Sequence, residues 1–150
     1  MGGYGGASGR TKDKCYYDSG GHKVKDKNAI IIGEYYINKG KYVVFLKEVP
    51  DDNRADLSVE GIHVEVKGMS SKNPSQVAKN IKKGFIQVDA DNKRYPKETH
   101  CPGVVIILSE YDSLEEALRI VKAGYDEAVR KGYVTGYVKL FHDGEMYDIT

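Results

Sequence analysis

Apolar and polar residues alternate with a period of two through 62–67. Ile62, Val64 and Val66 point to one side of an expected strand, and His63, Glu65 and Lys67 to the other. A turn at Val59-Glu60-Gly61 joins this strand to a short extended run that begins at Asp56, so 56–68 reads as a hairpin. Upstream, Asp26 or Asn28 caps a helix that runs to Lys39 and stops at Asn38-Lys39-Gly40. Ile30, Ile31, Ile32 and Gly33 are poor helix formers, yet that stop precedes a clear strand at 42–47. Residues 50–54 and 69–74 read as loops. A helix is expected over 75–83 with Gly84 as its end, then a short strand at 85–88. The polar segment 89–102, with Pro96 and Pro102, reads as a long loop.

The second half is patterned more strongly. Residues 103–108 form a continuous apolar run, which suits a central strand buried on both faces. Ser113-Leu-Glu-Glu116 is a capping box. It opens a helix whose apolar positions Leu114, Ala117, Leu118, Val121, Tyr125, Ala128 and Val129 keep helical spacing up to Gly132. The chain closes in a hairpin, 133–141 and 145–149, around Asp143-Gly144. The Gly-rich stretch 1–13 reads as a flexible lead of the kind that joins a domain to a longer polypeptide, and 15–22 as a turn-rich connection. The expected class is α/β, a mixed central sheet flanked by helices, with 14–150 as a single domain.

Composition narrows the function classes. With 23 basic and 22 acidic residues the net charge is +1, which argues against a polycation that coats nucleic acid. It leaves room for an acidic pocket with a basic rim, whose charges cancel in the sum. Lys72, Lys79, Lys82 and Lys83 cluster just after the alternating strand. No apolar run has the length of a membrane span, so no membrane anchor is expected. Cys15 and Cys101 are too few for a disulfide framework or a structural zinc site.

The chemistry concentrates in the 56–68 hairpin. Burying Ile62, Val64 and Val66 leaves the Glu65 carboxylate and the Lys67 ammonium side by side on the other face, and the hairpin brings Asp56 to them. Two carboxylates and a lysine arranged in this way can hold Mg²⁺ and polarise a phosphodiester. An acid-x-Lys triplet alone means little: Asp91-Asn92-Lys93 is another, and it falls in the expected 89–102 loop with no strand around it. His63 shares the face of Glu65 and Lys67, where a lone strand histidine reads as structural.

The order helix, strand with Asp56, strand with Glu65-Val66-Lys67, helix resembles the PD-(D/E)xK nuclease superfamily, in which a helix packs on a mixed sheet and the acids and lysine meet at a metal. More narrowly, the size, Gly-rich lead and layout resemble the C-terminal toxin domains of contact-dependent growth inhibition and related polymorphic toxin systems. The likeness covers about residues 26–108, with the last helix and hairpin as an elaboration. It implies Asp56 as the motif's aspartate, although Ala55 stands where a proline is expected, with Glu65 as the second acid and Lys67 as the lysine. It also implies a first-helix carboxylate near the metal, Glu34 ahead of Asp26. Mg²⁺, or Mn²⁺ or Zn²⁺ in its place, would be held by Asp56, Glu65 and the backbone carbonyl of Val66. Lys79, Lys82, Lys83 and Gln87, with Gln76 and Asn80 beside them, would contact nucleic acid.

The implied activity is that of a metal-dependent endonuclease toxin, with tRNA placed ahead of DNA. It would be released from a secreted or surface carrier, would act in the cytoplasm of a target bacterium, and would be held in check by a cognate immunity protein. Three other readings stay open. One is a junction resolvase or restriction-type DNA endonuclease of the same superfamily. Another is a metal-independent RNase using His22, His63, His100 or His142. The third is a binding domain with no catalysis.

Overall fold

The computed structural model describes residues 15–17, 26–46, 55–94 and 102–150. The expected lead at 1–13, His22, the 50–54 loop, His100 and Cys101 lie outside the described residues.

Among the described residues, seven strands form one mixed sheet in the order of the chain. They are β1 (Cys15–Tyr17), β2 (Val43–Phe45), β3 (Leu57–Val59), β4 (Ile62–Met69), β5 (Val104–Ser109), β6 (Tyr137–His142) and β7 (Glu145–Asp148). Strand β3 runs antiparallel to its neighbours β2 and β4, while β4, β5 and β6 run parallel, and β7 returns antiparallel to β6. The parallel pairs need crossovers. Helix α1 (Lys27–Asn38) links β1 to β2, α2 (Pro74–Arg94) links β4 to β5, and α3 (Leu114–Arg130) links β5 to β6.

Two hydrophobic clusters lie on opposite faces of the sheet. On one face, Ala29, Ile32 and Ile37 of α1 pack on Val43, Phe45, Leu57, Val64, Val66, Ile106 and Phe141. On the other, Val77, Ala78, Ile81 and Phe85 of α2 and Ala117, Ile120 and Val121 of α3 pack on Val105, Ile107, Val138 and Leu140. The result is an α/β architecture of three layers, α1 below the sheet and α2 with α3 above it. Strand β5 is buried on both faces over five of its six residues, as its unbroken apolar run requires.

Local signals fixed most ends. The Asp26 side chain accepts the N–H groups of Asn28 and Ala29 and starts α1. Ser113 accepts the Glu116 N–H and starts α3. The final hairpin turns at Asp143-Gly144, with β6 starting four residues later than the expected 133.

Three expectations are corrected. The helix expected to end at Gly84 runs on to Arg94, so the strand at 85–88 and the start of the 89–102 loop are helix instead. Gly84 is a packing glycine: a Cβ there would lie 2.7 Å from a Val105 methyl, so its bareness lets α2 sit close on β5. The buried positions Val77, Ala78, Ile81, Gly84, Phe85, Val88 and Asp91 keep one helical period throughout. The turn-rich connection expected at 15–22 begins with a strand, β1, paired in parallel with β2. Finally, the Asp91-Asn92-Lys93 triplet lies on α2, with Asp91 fully buried.

Among the described residues, no helix is long and apolar enough to cross a membrane.

Candidate active site

The β3–β4 hairpin turns through Glu60 and Gly61, both at positive φ (50° and 83°). This two-residue turn matches the twist of paired strands and fixes their register. Leu57 faces Val64, Ser58 faces His63 and Val59 faces Ile62; one further step sets Asp56 across from Glu65. Leu57, Val59, Val64 and Val66 belong to the α1-side cluster. By strand alternation Asp56, Ser58, His63, Glu65 and Lys67 share the other face, the one α2 crosses.

Asp56 is tied down on all sides. Its N–H donates to Val64 O (3.1 Å), its carbonyl accepts Leu46 N–H (3.0 Å), and its Oδ2 accepts Val66 N–H (3.0 Å). Glu65 is only 4% exposed, and its Oε2 lies 3.1 Å from Lys67 Nζ. Lys67 Nζ also donates to Gln87 Oε1 at 2.8 Å. With both acids ionised, Glu65 Oε1 is buried and accepts no hydrogen bond from the described residues; with a proton between them, Asp56 and Glu65 bond to each other. A proton or a cation at this point therefore relieves the cost of the buried charge.

The electrostatics follow from burial. Desolvation pushes the Asp56 carboxyl up to about 6, against the pull of the Val66 N–H; the Asp26 charge adds to the rise, while Glu65 and Lys67 oppose it. Desolvation and then the Asp56 charge push Glu65 up to about 8, with Lys67 opposing. Two carboxylates forced together in a poorly solvated place cannot both ionise freely, so without a cation the pair holds on to a shared proton above the usual carboxylate range. A bound divalent cation would displace it.

The expected site residues are placed unequally. Asp56, Glu65 and Lys67 converge. Val66 adds only backbone, since its side chain is buried in the α1-side cluster. Gln87, expected on a strand as a nucleic-acid contact, lies on α2, where its Oε1 accepts a hydrogen bond from Lys67. Glu34 is half-buried on α1, and among the described residues no three His, Cys, Asp or Glu side chains are grouped to share a metal. The carboxylate that acts electrostatically on Asp56 is Asp26, at the N-cap of α1. Glu34 lies eight residues further on, about 12 Å along the helix axis.

Lys79, Lys82 and Lys83 are all exposed on α2, at i, i+3 and i+4 on its solvent face, with Lys82 and Lys83 on opposite flanks of Lys79. Asn80, Lys83 and Gln87 fall on one stripe at helical spacing, with Gln76 at its start. Lys82 turns to the other side and lies over the Tyr133 ring, 4.9 Å from its centre.

Sequence reasoning missed the end of α2. Asp91 Oδ2 accepts the Ala55 N–H at 2.7 Å, and Asn92 Oδ1 lies 2.8 Å from His63 Nδ1. The signal was present: Asp91 continues the period of Ile81, Gly84 and Val88, which places it on the covered face of a longer helix. His63 is 1% exposed, which makes it a buried structural residue, and His142 Nδ1 pairs with Ser109 Oγ at 2.7 Å.

The site thus combines a largely buried pair of carboxyl groups, a lysine held by a carboxylate and an amide, and a polar helix stripe alongside. Compared with family models, curated proteins and solved structures, the chain gives no match.

Proposed function

We propose that the chain is a metal-dependent endonuclease that hydrolyses phosphodiester bonds of nucleic acid, with the PD-(D/E)xK type of centre. The observation that carries this reading is the convergence of Asp56, Glu65 and Lys67: two largely buried carboxyl groups within hydrogen-bonding reach of each other, with an ammonium against one of them. The donor set suits a hard divalent cation: two carboxylates, with the Val66 carbonyl as a further oxygen and water for the remainder. Two carboxylates fall short of an all-protein cage, as expected of Mg²⁺, which keeps several waters. The element order supports the same reading, since α1, the β2–β3–β4 meander, α2 and the parallel β5 set the aspartate at the entry to β3 and the Glu-x-Lys triplet on the neighbouring β4.

In this site Mg²⁺ supplies charge neutralisation at the scissile phosphate and a more acidic water. The chain's own residues do the rest. Asp56 and Glu65 provide the anionic seat. Lys67, 21% exposed and anchored by Gln87, presents its ammonium to the negative charge that grows on the phosphoryl oxygens. The water oxygen bonds to phosphorus, the bridging P–O bond breaks, and a proton passes to the leaving oxygen. The stripe of Asn80, Lys83 and Gln87 offers phosphate contacts that position the strand without reading its sequence.

The toxin assignment, the preference for tRNA over DNA, delivery from a carrier into a target cytoplasm and an immunity partner rest on the resemblance alone. One gel tests the class: total tRNA, plasmid DNA and branched DNA, each with Mg²⁺ or with EDTA. The reading expects Mg²⁺-dependent cutting of one substrate class. Cutting that persists in EDTA, or no cutting at all, would overturn it.

A further inference from the structure

The last turns of α2 grip the hairpin at three points. Gln87 holds Lys67, Asn92 holds His63, and between them Asp91 accepts the N–H of Ala55 at 2.7 Å across 36 residues of chain. Asp91 is 0% exposed and Ala55 is 3% exposed, so this bond is made out of water. A hydrogen bond from a backbone amide to a carboxylate is of the charge-assisted kind, roughly twice as strong as one between neutral groups.

Ala55 precedes the metal-site aspartate, at the place where the resemblance expects proline. A proline there fixes φ through its ring and has no N–H to satisfy. Alanine leaves φ free and carries a donor that, once buried, must be paired. We propose that Asp91 is a positioning residue of the metal site: by holding the Ala55 amide it aims the Asp56 carboxylate at Glu65, doing by hydrogen bond what a proline ring does by geometry. The inference rests on the nuclease reading above. It gives a role to the one acid-x-Lys triplet outside the site.

The test is a double-variant cycle, read by calorimetric titration with Mg²⁺ alone. Asp91→Ala removes the acceptor and Ala55→Pro removes the donor. Each single variant is expected to weaken Mg²⁺ binding by about tenfold or more: Asp91→Ala leaves the buried Ala55 amide without its acceptor, and Ala55→Pro drives a ring carbon against the Asp91 carboxyl 2.7 Å from that nitrogen. The double variant is expected to bind more tightly than either single one, because the ring restores the restraint and no amide is left without an acceptor. Asp91→Asn keeps an acceptor oxygen and is expected to stay near wild type. In cleavage, Asp91→Ala should raise the Mg²⁺ concentration needed for half-maximal rate more than it lowers the rate at saturating Mg²⁺, a split that general loss of stability does not produce.

Wild-type Mg²⁺ affinity in folded Asp91→Ala would overturn the inference, and so would a double variant weaker than both singles. Should Asp91→Ala fail to fold, Ala55→Pro against Asp91→Asn decides the matter: equal, wild-type affinity in both would overturn it. A wild-type protein that takes up no Mg²⁺ would instead bring down the nuclease reading itself.

Discussion

Gln87 on α2 accepts a hydrogen bond from Lys67 on β4 at 2.8 Å, and so links the helix to the ammonium of the candidate site. With Glu65 Oε2 at 3.1 Å, Lys67 is held between an amide and a carboxylate and cannot swing freely into solvent. If Lys67 acts by its position, loosening it should cost activity more than stability. Gln87→Ala is therefore expected to slow single-turnover cleavage about tenfold while changing unfolding free energy by about 1 kcal/mol or less. Urea denaturation beside the rate measurement checks both halves, and an unchanged rate would show that Gln87 has no part in the site.

The carboxylate pair predicts an unusual pH dependence. Both groups have folded-state values, about 6 for Asp56 and about 8 for Glu65, above their ordinary 3.8 and 4.5. The folded chain therefore holds protons that the unfolded chain has released. The contribution of these groups to metal-free stability is fullest below 3.8 and is lost as pH rises through about 6 and then about 8. Asp56→Asn removes one of the two buried charges. In EDTA at about pH 8 it should match or exceed wild-type stability, by on the order of 1–2 kcal/mol, while losing Mg²⁺ binding. Wild-type affinity for Mg²⁺ should rise over the same pH window, because binding must displace the retained proton. Thermal melts with EDTA and with Mg²⁺ across that range test both statements.

The α2 lysines should separate by position. Lys83 lies on the stripe with Asn80 and Gln87, whereas Lys82 sits over Tyr133 on the other side of the helix. Lys83→Ala is expected to weaken nucleic-acid binding and to reduce the salt dependence of affinity by about one phosphate contact. Lys82→Ala is expected to leave both unchanged. Binding measured at several salt concentrations with a non-cleaving Lys67→Ala background reports this directly.

Gly84 offers a test of the architecture independent of any chemistry. A Cβ there would lie 2.7 Å from Val105 Cγ2, so Gly84→Val must push α2 away from β5. A loss of about 1–3 kcal/mol in unfolding free energy is expected, accompanied by weaker Mg²⁺ binding if the helix carries Gln87 and Asp91 away from the hairpin.

How much of this was legible in the sequence depended on whether the signal was local. The β3–β4 hairpin could be read because its period of two and its Glu60-Gly61 turn both act within a few residues, and they set which face Glu65 and Lys67 share. The caps Asp26 and Ser113 are local in the same way. The length of α2 was not legible by the same rules, because Gly84 and the β-branched Ile86 and Val88 imitate a helix stop followed by a strand. What keeps the helix going is tertiary: the close fit of Gly84 on Val105 and the burial of Phe85 and Val88. That one misplaced boundary hid Asp91 and Asn92, since an acid in an expected loop is solvated whereas on a covered helix face it must find a partner. The same holds for α1: that the Asp26 charge acts on Asp56 depends on tertiary placement, which no local pattern carries.

If Asp56, Glu65 and Lys67 act as one hydrolytic centre, the single-turnover cleavage rates of wild type, Glu65→Gln and Lys67→Ala at fixed Mg²⁺ should show it, on whichever nucleic acid the wild type cuts and with each variant shown to be folded by circular dichroism. Both variants are expected to keep the fold and lose at least about a thousandfold in rate. A folded Lys67→Ala protein that cuts within about tenfold of the wild-type rate would contradict that reading.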